Sequence, residues 1–152
     1  MNESNPSDEI LAELLTLTRE VGTNGIIRYR NSEGQLHRVH GPAVIYPDGT
    51  ECWCQHGNRH RVDGPAVIYP DGTEYWYQHG DRHRTDGPAV IYKDGAEYWF
   101  QDGLRHSTYG PAVIYADGLS FWYLHGDRMS ESEWEWKRAV DIMNACGQSP
   151  DE

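Results

Sequence analysis

The chain has 152 residues, a formal net charge of −11 and an aromatic content of 12%, made up of ten Tyr, six Trp and only two Phe. A mean hydropathy of −0.78 with 38% apolar residues excludes a membrane-embedded chain and a large oily core, and the wealth of Tyr and Trp excludes an ordinary disordered polymer. Three Cys are too few, and odd in number, for a secreted disulfide framework.

Met1 to Asp8 is polar and acidic, without the basic and apolar stretches of a signal peptide, so a cytoplasmic protein is expected. Asn5-Pro6 followed by Ile10, Leu11, Leu14, Leu15 and Leu17 predicts a helix from Pro6 to Glu20, capped by Asn5 and ended at Gly22. Ile26–Arg30 reads as half of a hairpin.

From Gly34 to His125 four units of 23 residues follow without a gap. Each contains Gly-Pro-Ala-Val-Ile-Tyr, beginning at Gly41, Gly64, Gly87 and Gly110. A hexapeptide kept at fixed spacing marks a repeat architecture, in which each unit buries its apolar face against its neighbours. In the first unit Ala43–Tyr46 has the β-branched and aromatic character of a strand. Pro47-Asp48-Gly49-Thr50 is a turn: Pro presets φ, Asp bonds to local backbone and Gly takes φ > 0. Glu51–Gln55 returns as a second strand, His56-Gly57 offers another φ > 0 position, and Arg59–Arg61 predicts a short third strand. Past the repeats, Ser130 and Glu133 form a capping box before a helix over Trp134–Ala145, stopped by Gly147. Leu119 and Leu124 replace the Thr and Gln of earlier units, so this helix is expected to dock near them through Trp136, Val140 and Met143 or through Trp134.

The expected fold is mainly β: an antiparallel β-hairpin repeat array, a solenoid or ribbon, with an N-terminal and a C-terminal capping helix. Residues 1–24 form an acidic helical cap, 25–129 the hairpin repeats, and 130–152 the C-terminal helix and acidic tail.

Taking Asp48-Gly49 as a two-residue loop pairs Tyr46 with Glu51, Ile45 with Cys52, Val44 with Trp53 and Ala43 with Cys54. One face then carries Ala43, Ile45, Cys52 and Cys54, with the Cys pair replaced by Tyr75 and Tyr77, Tyr98 and Phe100, and Phe121 and Tyr123 in later units. It is wholly apolar and reads as the stacking core. The other face carries Trp53, Trp76, Trp99 and Trp122 beside Tyr46, Tyr69, Tyr92 and Tyr115. Stacked aromatics stabilise a ribbon, and Trp and Tyr also carry binding hot spots, so this ladder is the candidate partner-binding face. A one-residue change of register would exchange the two faces.

His37, His60, His83 and His106 recur at one position of each unit, and His56, His79 and His125 precede the turn Gly, with Asp102 in their place in the third unit. The His-x-x-x-His spacing serves zinc on a helix. Here a Gly turn intervenes, and the recurrence points to a structural hydrogen bond, so no metal is expected. Cys52 and Cys54 read as small buried hydrophobes, with Cys146 remote from both. No nucleophile elbow, phosphate-cradling loop or paired carboxylate is present, so neither enzymatic chemistry nor a cofactor is expected.

Residues 1–20 hold five acids and one base, and residues 126–152 seven acids and three bases, while the repeats are nearly balanced. Acidity belongs to the two caps, through Asp8, Glu9 and Glu13 at one end and Glu131, Glu133 and Glu135 at the other. It solvates the chain and favours a basic partner. Direct nucleic-acid or anionic-membrane binding needs a basic stripe that the sequence lacks.

The hairpin pattern, with Trp76, Gly80, Arg82, His83, Gly87, Asp94 and Gly95 in comparable places, resembles MORN repeats. It departs from them at Arg84, where those units carry Gly, and in its Gly spacing. It is similar to a divergent MORN-like set in phage and giant-virus proteins, as is the ending from Gly126 to Trp134. The resemblance covers about two thirds of the chain. It implies a non-enzymatic protein-binding module in the host cytoplasm, of the kind that inhibits a host defence nuclease such as a CRISPR effector by direct contact. Two other classes follow from the same residues. Arg59, Arg82 and Arg105 beside aromatic slots suit a nucleotide second-messenger sponge, and open hairpin edges suit an assembly protein or a homodimer.

Overall fold

The structure is a computed structural model that describes residues 6–145, without the side chains of Pro6 and Asp8. The expected Asn5 cap, Cys146, the Gly147 stop and the acidic tail lie outside the described residues. The protein is mainly β, an antiparallel array of hairpins with one helix before it and one after it. The chain divides after Asp81 into two compact units.

In the first unit the helix spans Pro6–Thr16, not Pro6 to Glu20. Thr18–Val21 instead pairs antiparallel with Ile27–Arg30, from Thr18 opposite Arg30 to Val21 opposite Ile27. An ion pair of 3.0 Å between Arg30 and Glu20 spans this ribbon. The β-branched ends of Thr-Arg-Glu-Val and the partner strand outweigh the helical spacing of the leucines. Gly22 serves the hairpin loop, donating its N–H to Ile26 O at 2.9 Å. The helix is tied down by Glu13, whose carboxylate accepts the backbone N–H groups of Val39 and His40 and meets His40 Nδ1 at 2.9 Å. Burial pushes the Glu13 carboxyl up, but the bonds from Val39 and His40 outweigh it and hold the group below its ordinary value. Ile10, Leu11, Leu14 and Leu15 are exposed.

Ile27–Arg30 then pairs with Val44–Ile45, that with Glu51–Cys52, that with Val67–Ile68, and that with Glu74–Tyr75. The observed register is one residue away from the expected one: Val44 opposes Cys52 and Ile45 opposes Glu51. The loop has three residues, Pro47-Asp48-Gly49, closed by Tyr46 N–H donating to Thr50 O at 2.9 Å and Gly49 N–H to Tyr46 O at 3.0 Å. Gly49 sits at φ 89°, and Asp48 Oδ1 accepts Thr50 N–H at 2.9 Å. This is a turn ending in a left-handed residue, the usual three-residue hairpin loop. Since side chains alternate along a strand, Tyr46 shares a face with Val44, Thr50 and Cys52, while Trp53 belongs to the other. The single ladder of Trp beside Tyr is thereby split, and Val44 rather than Ile45 joins Cys52 and Cys54 in the core.

A second, tighter hairpin bridges one repeat to the next. Cys54–Gln55 pairs with Asn58–Arg59 around His56 and Gly57, at φ 48° and 81°. Two successive left-handed residues make the two-residue turn that matches strand twist. The expected third strand is shorter than Arg59–Arg61 and covers Asn58–Arg59, with His60 N–H still donating to Trp53 O at 3.0 Å and Arg61 N–H to Tyr77 O at 3.1 Å. Gly57 donates to Leu36 O at 2.9 Å and Gly80 to Arg59 O at 3.0 Å, joining successive tight hairpins. Between the two kinds of hairpin lies a core of Ala43, Val44, Cys52, Cys54, Ala66, Val67 and Tyr77. Apart from Tyr77 its side chains are small, in keeping with the low apolar content, and each buried Val contributes about 1.5–3 kcal/mol.

In the second unit the same register recurs. Val90 opposes Tyr98, Tyr98 opposes Val113, and Val113 opposes Phe121. Ser120–Leu124 pairs with Asp127–Met129. The helix Glu131–Ala145 begins at the expected capping box: Ser130 N–H and Oγ reach Glu133 Oε2 at 2.8 and 2.7 Å. It docks through Trp134, which is 4% exposed and meets Trp122 at a tilt, with ring centroids 4.6 Å apart. Leu124 is buried and lines one cleft with Trp136 and Val140 of the helix, whereas Leu119 is 54% exposed and lies apart from that cleft.

Candidate functional site

The four repeated Trp residues are half-buried and are covered from within. The Arg61 guanidinium lies 3.8 Å from the Trp53 ring centroid, while its Nε donates to Asp63 at 3.0 Å and its Nη1 to Pro65 O at 3.3 Å. A methyl group on Gly64 would meet that guanidinium at 2.8 Å, which is why Gly precedes Pro-Ala. Gly41 with Arg38 and Gly87 with Arg84 repeat the arrangement. In the fourth repeat Ser107 stands where Arg61 and Arg84 stood. There Tyr109 takes the place over Trp99, at 5.9 Å, and Trp134 covers Trp122. Arg therefore acts as a flat lid on an aromatic ring, held by its own ion pair and carbonyl bond.

The Tyr series occupies different ground. Tyr46, Tyr69 and Tyr115 are exposed and Tyr92 half-buried. In the first unit Tyr69 meets Tyr75 edge to face at 5.6 Å. In the second, Tyr98 is flanked edge-on by Tyr92 at 5.4 Å and Tyr115 at 5.8 Å, and Tyr115 meets Phe121 at 5.9 Å. Burial, with Tyr115 and Tyr92 close by, raises the Tyr98 hydroxyl above its ordinary value and keeps it protonated. These rings, with Asp94, Asp117, Ala116 and Leu119, line an open trough of about 700 Å³. Sequence reasoning found Tyr92 and Tyr115 but assigned Tyr98 and Phe121 to the stacking core. It passed over Asp94 and Asp117, whose turn positions looked purely structural. The four-residue offset from Tyr92 to Ala96, opposed across a three-residue loop, was the signal that places Tyr98 beside Tyr92.

Arg59, Arg82 and Arg105 each lie on a ring of their own repeat, Arg59 on Tyr77 at 5.2 Å, Arg82 on Phe100 at 5.3 Å and Arg105 on Tyr123 at 5.3 Å. Among the cap acids, Glu9, Glu131 and Glu135 are exposed, while Glu13 and Glu133 are bound locally. Bonds from the Ser130 backbone and hydroxyl hold Glu133 below its ordinary value.

The recurrent His residues form hydrogen bonds to the following turn. Nδ1 of His37, His60, His83 and His106 accepts the N–H of His56, His79, Asp102 and His125 at 3.1 to 3.2 Å. These donors are the non-Gly residues at positive φ. The rings of His37 and His56, His60 and His79, and His106 and His125 meet at a steep tilt with centroids 4.5 to 4.6 Å apart. Burial first, and the second imidazole next, lower the pKa of His37, His60 and His106 below the ordinary 6.5. An unfolded chain therefore takes up protons that the fold resists. Stability from these three rings is complete above the unfolded value and falls as pH drops through it toward the folded values. Thermal midpoints are expected to fall between about pH 7.5 and 5.5. His60→Asn, which keeps an acceptor for the His79 N–H, should make that slope shallower. A flat profile in both proteins would refute it.

Cys52 and Cys54 are buried thiols. Burial, followed by the neighbouring Cys52, pushes Cys54 up to about 11, and burial raises Cys52 likewise. Neither is expected to react with iodoacetamide in the native protein at about pH 8, where a normal thiol is partly thiolate. Both should label fully in denaturant, as read by peptide mapping. Among the described residues no three His, Cys, Asp or Glu side chains gather as metal ligands, and no helix is long and apolar enough to cross a membrane. No protein-family model and no curated protein matches this chain.

Proposed function

We propose that the protein is a non-enzymatic binding module whose working surface is the Tyr row of the second unit, and that its partner is a basic, nucleic-acid-binding protein. The observation that carries this reading is the open trough of about 700 Å³, whose lining combines tyrosine rings with two carboxylates and no basic group. Its size suits a segment of a partner, and Tyr supplies large contact area with few rotatable bonds. The net charge of −11 adds long-range attraction for a cationic protein. The likeness to phage repeat proteins supports a narrower form, inhibition of a nucleic-acid-cleaving host enzyme by direct contact.

The test is affinity purification from host lysate with the wild-type chain and a Tyr98→Ala/Tyr115→Ala variant in parallel. A basic protein retained by the wild type, released by salt and lost from the variant supports the reading. Identical retention by both proteins overturns it.

A further inference from the structure

We infer that the trough of the second unit is a receptor for an arginine side chain presented by a basic segment of the partner. This inference rests on the binding role just proposed and names the group that role recognises.

Beside the trough the repeat loses its turn proline and exchanges its threonine. In the first unit the turn proline fills the space beside the preceding turn. A methyl group built on Gly25 would lie 3.2 Å from Pro47 Cγ, and one on Gly49 would lie 3.5 Å from Pro70 Cγ. The residue corresponding to Pro70 in the last repeat is Ala116, and around Gly95 nothing lies within 4 Å of such a methyl. The buried Thr50 and Thr73 correspond to Ala96 and to Leu119, which form part of the lining. The turns at Gly25 and Gly49 are thus closed by proline, and the turn at Gly95 is open.

What the opening exposes suits a planar cation. Tyr98 stands between Tyr92 and Tyr115, each met edge to face, and all three rings line the open trough, where a cation is attracted to the π-system of a ring. Asp94 and Asp117 each commit Oδ1 to a backbone N–H, of Ala96 and Leu119 respectively, both at 3.0 Å. The second oxygen of each carboxylate is left to accept from a ligand. An anion such as a nucleotide phosphate would meet two carboxylates there.

A guanidinium is favoured over an ammonium because it stacks flat on a ring while donating in its plane. The chain itself uses that pairing on neighbouring aromatics. Arg38 covers Tyr29 at 4.2 Å, Arg61 covers Trp53 at 3.8 Å, and Arg128 covers Phe121, at one end of this same row, at 4.1 Å. The trough extends the same chemistry to an arginine from outside.

The test uses the full chain and a tetra-arginine peptide, followed by calorimetry and by the aromatic NMR signals of Tyr98 and Tyr115. Saturable binding that shifts those two residues is expected. Tetra-citrulline, which keeps the shape and loses the charge, should bind at least about tenfold more weakly, a factor worth about 1.4 kcal/mol. Ala116→Pro, which restores the proline of the first unit, should weaken binding at least about tenfold while circular dichroism is unchanged. Asp94→Asn with Asp117→Asn keeps an oxygen for each turn N–H and should weaken binding similarly, so the site remains testable if the proline variant misfolds. Asp48→Asn with Asp71→Asn in the first unit should have no effect.

Equal binding of tetra-citrulline, or equal loss from the two Asn pairs, would overturn the assignment by showing diffuse attraction to an acidic protein. The two proposals fail separately. If a basic protein is retained by the wild type and equally by Ala116→Pro, the arginine receptor fails and the binding role stands. If the peptide binds as described but no basic protein is retained from lysate, the receptor stands and the partner class is wrong.

Discussion

Trp134→Ala is expected to destabilise the second unit by about 3–5 kcal/mol, the cost of emptying a large buried aromatic site. Trp134 is 4% exposed, packs at a tilt against Trp122 with ring centroids 4.6 Å apart, carries the Arg138 guanidinium 5.3 Å from its ring and donates its indole N–H to Ser107 O at 2.8 Å. That carbonyl belongs to the residue that stands where earlier repeats have their Arg lid. The substitution therefore removes the helix's main anchor, leaves Trp122 uncovered and strips a buried carbonyl of its donor. Trp134→Phe should keep most of the ring contact and lose the hydrogen bond, costing about 1 kcal/mol for the bond itself plus the lost ring area. Urea unfolding, with the helix followed by circular dichroism, measures both. A change under about 1 kcal/mol for Trp134→Ala would contradict its anchoring role.

Phe100→Ala should cost a similar amount, about 3–5 kcal/mol. Phe100 is 7% exposed and begins the tight hairpin of the third repeat, opposite Arg105. Its carbonyl takes the Arg84 N–H at 3.0 Å, and Arg82 lies over its ring. Losing the ring opens a cavity on the core side and removes the surface on which Arg82 rests. Tyr115→Ala, at an exposed ring of the proposed binding surface, should cost far less stability while abolishing peptide binding. Parallel unfolding and binding measurements on these two variants separate core from surface. Equal destabilisation by both would show that the Tyr row is structural.

The repeat, the two helices, the turn residues and the capping box at Ser130 were legible from spacing and residue type, because each depends on local chemistry. The histidine hydrogen bonds were legible from recurrence alone. The register was not. Pro47-Asp48-Gly49-Thr50 is compatible with a two- or a three-residue loop, and only the closing bond from Tyr46 N–H to Thr50 O selects the second. That single residue moved Trp53 away from Tyr46 and relocated the candidate surface. Thr18–Val21 was missed for a related reason, since its helical spacing was real and its strand partner, Ile27–Arg30, is supplied only by the fold. The trough was illegible because it is marked by what is missing, a proline at Ala116, and by turn acids whose second oxygen has no role in the turn.

The histidine bonds give the repeats a direction. His37 waits for the amide of His56, His60 for that of His79, His83 for that of Asp102 and His106 for that of His125. In every case the acceptor is synthesised 19 residues before its donor. A repeat leaving the ribosome is therefore incomplete until the next tight turn emerges, and each new turn completes the one before it. Contacts at such short range close quickly, so folding can advance in step with synthesis, repeat after repeat, and Trp122, the last of the four repeated Trp rings, is covered only when Trp134 arrives.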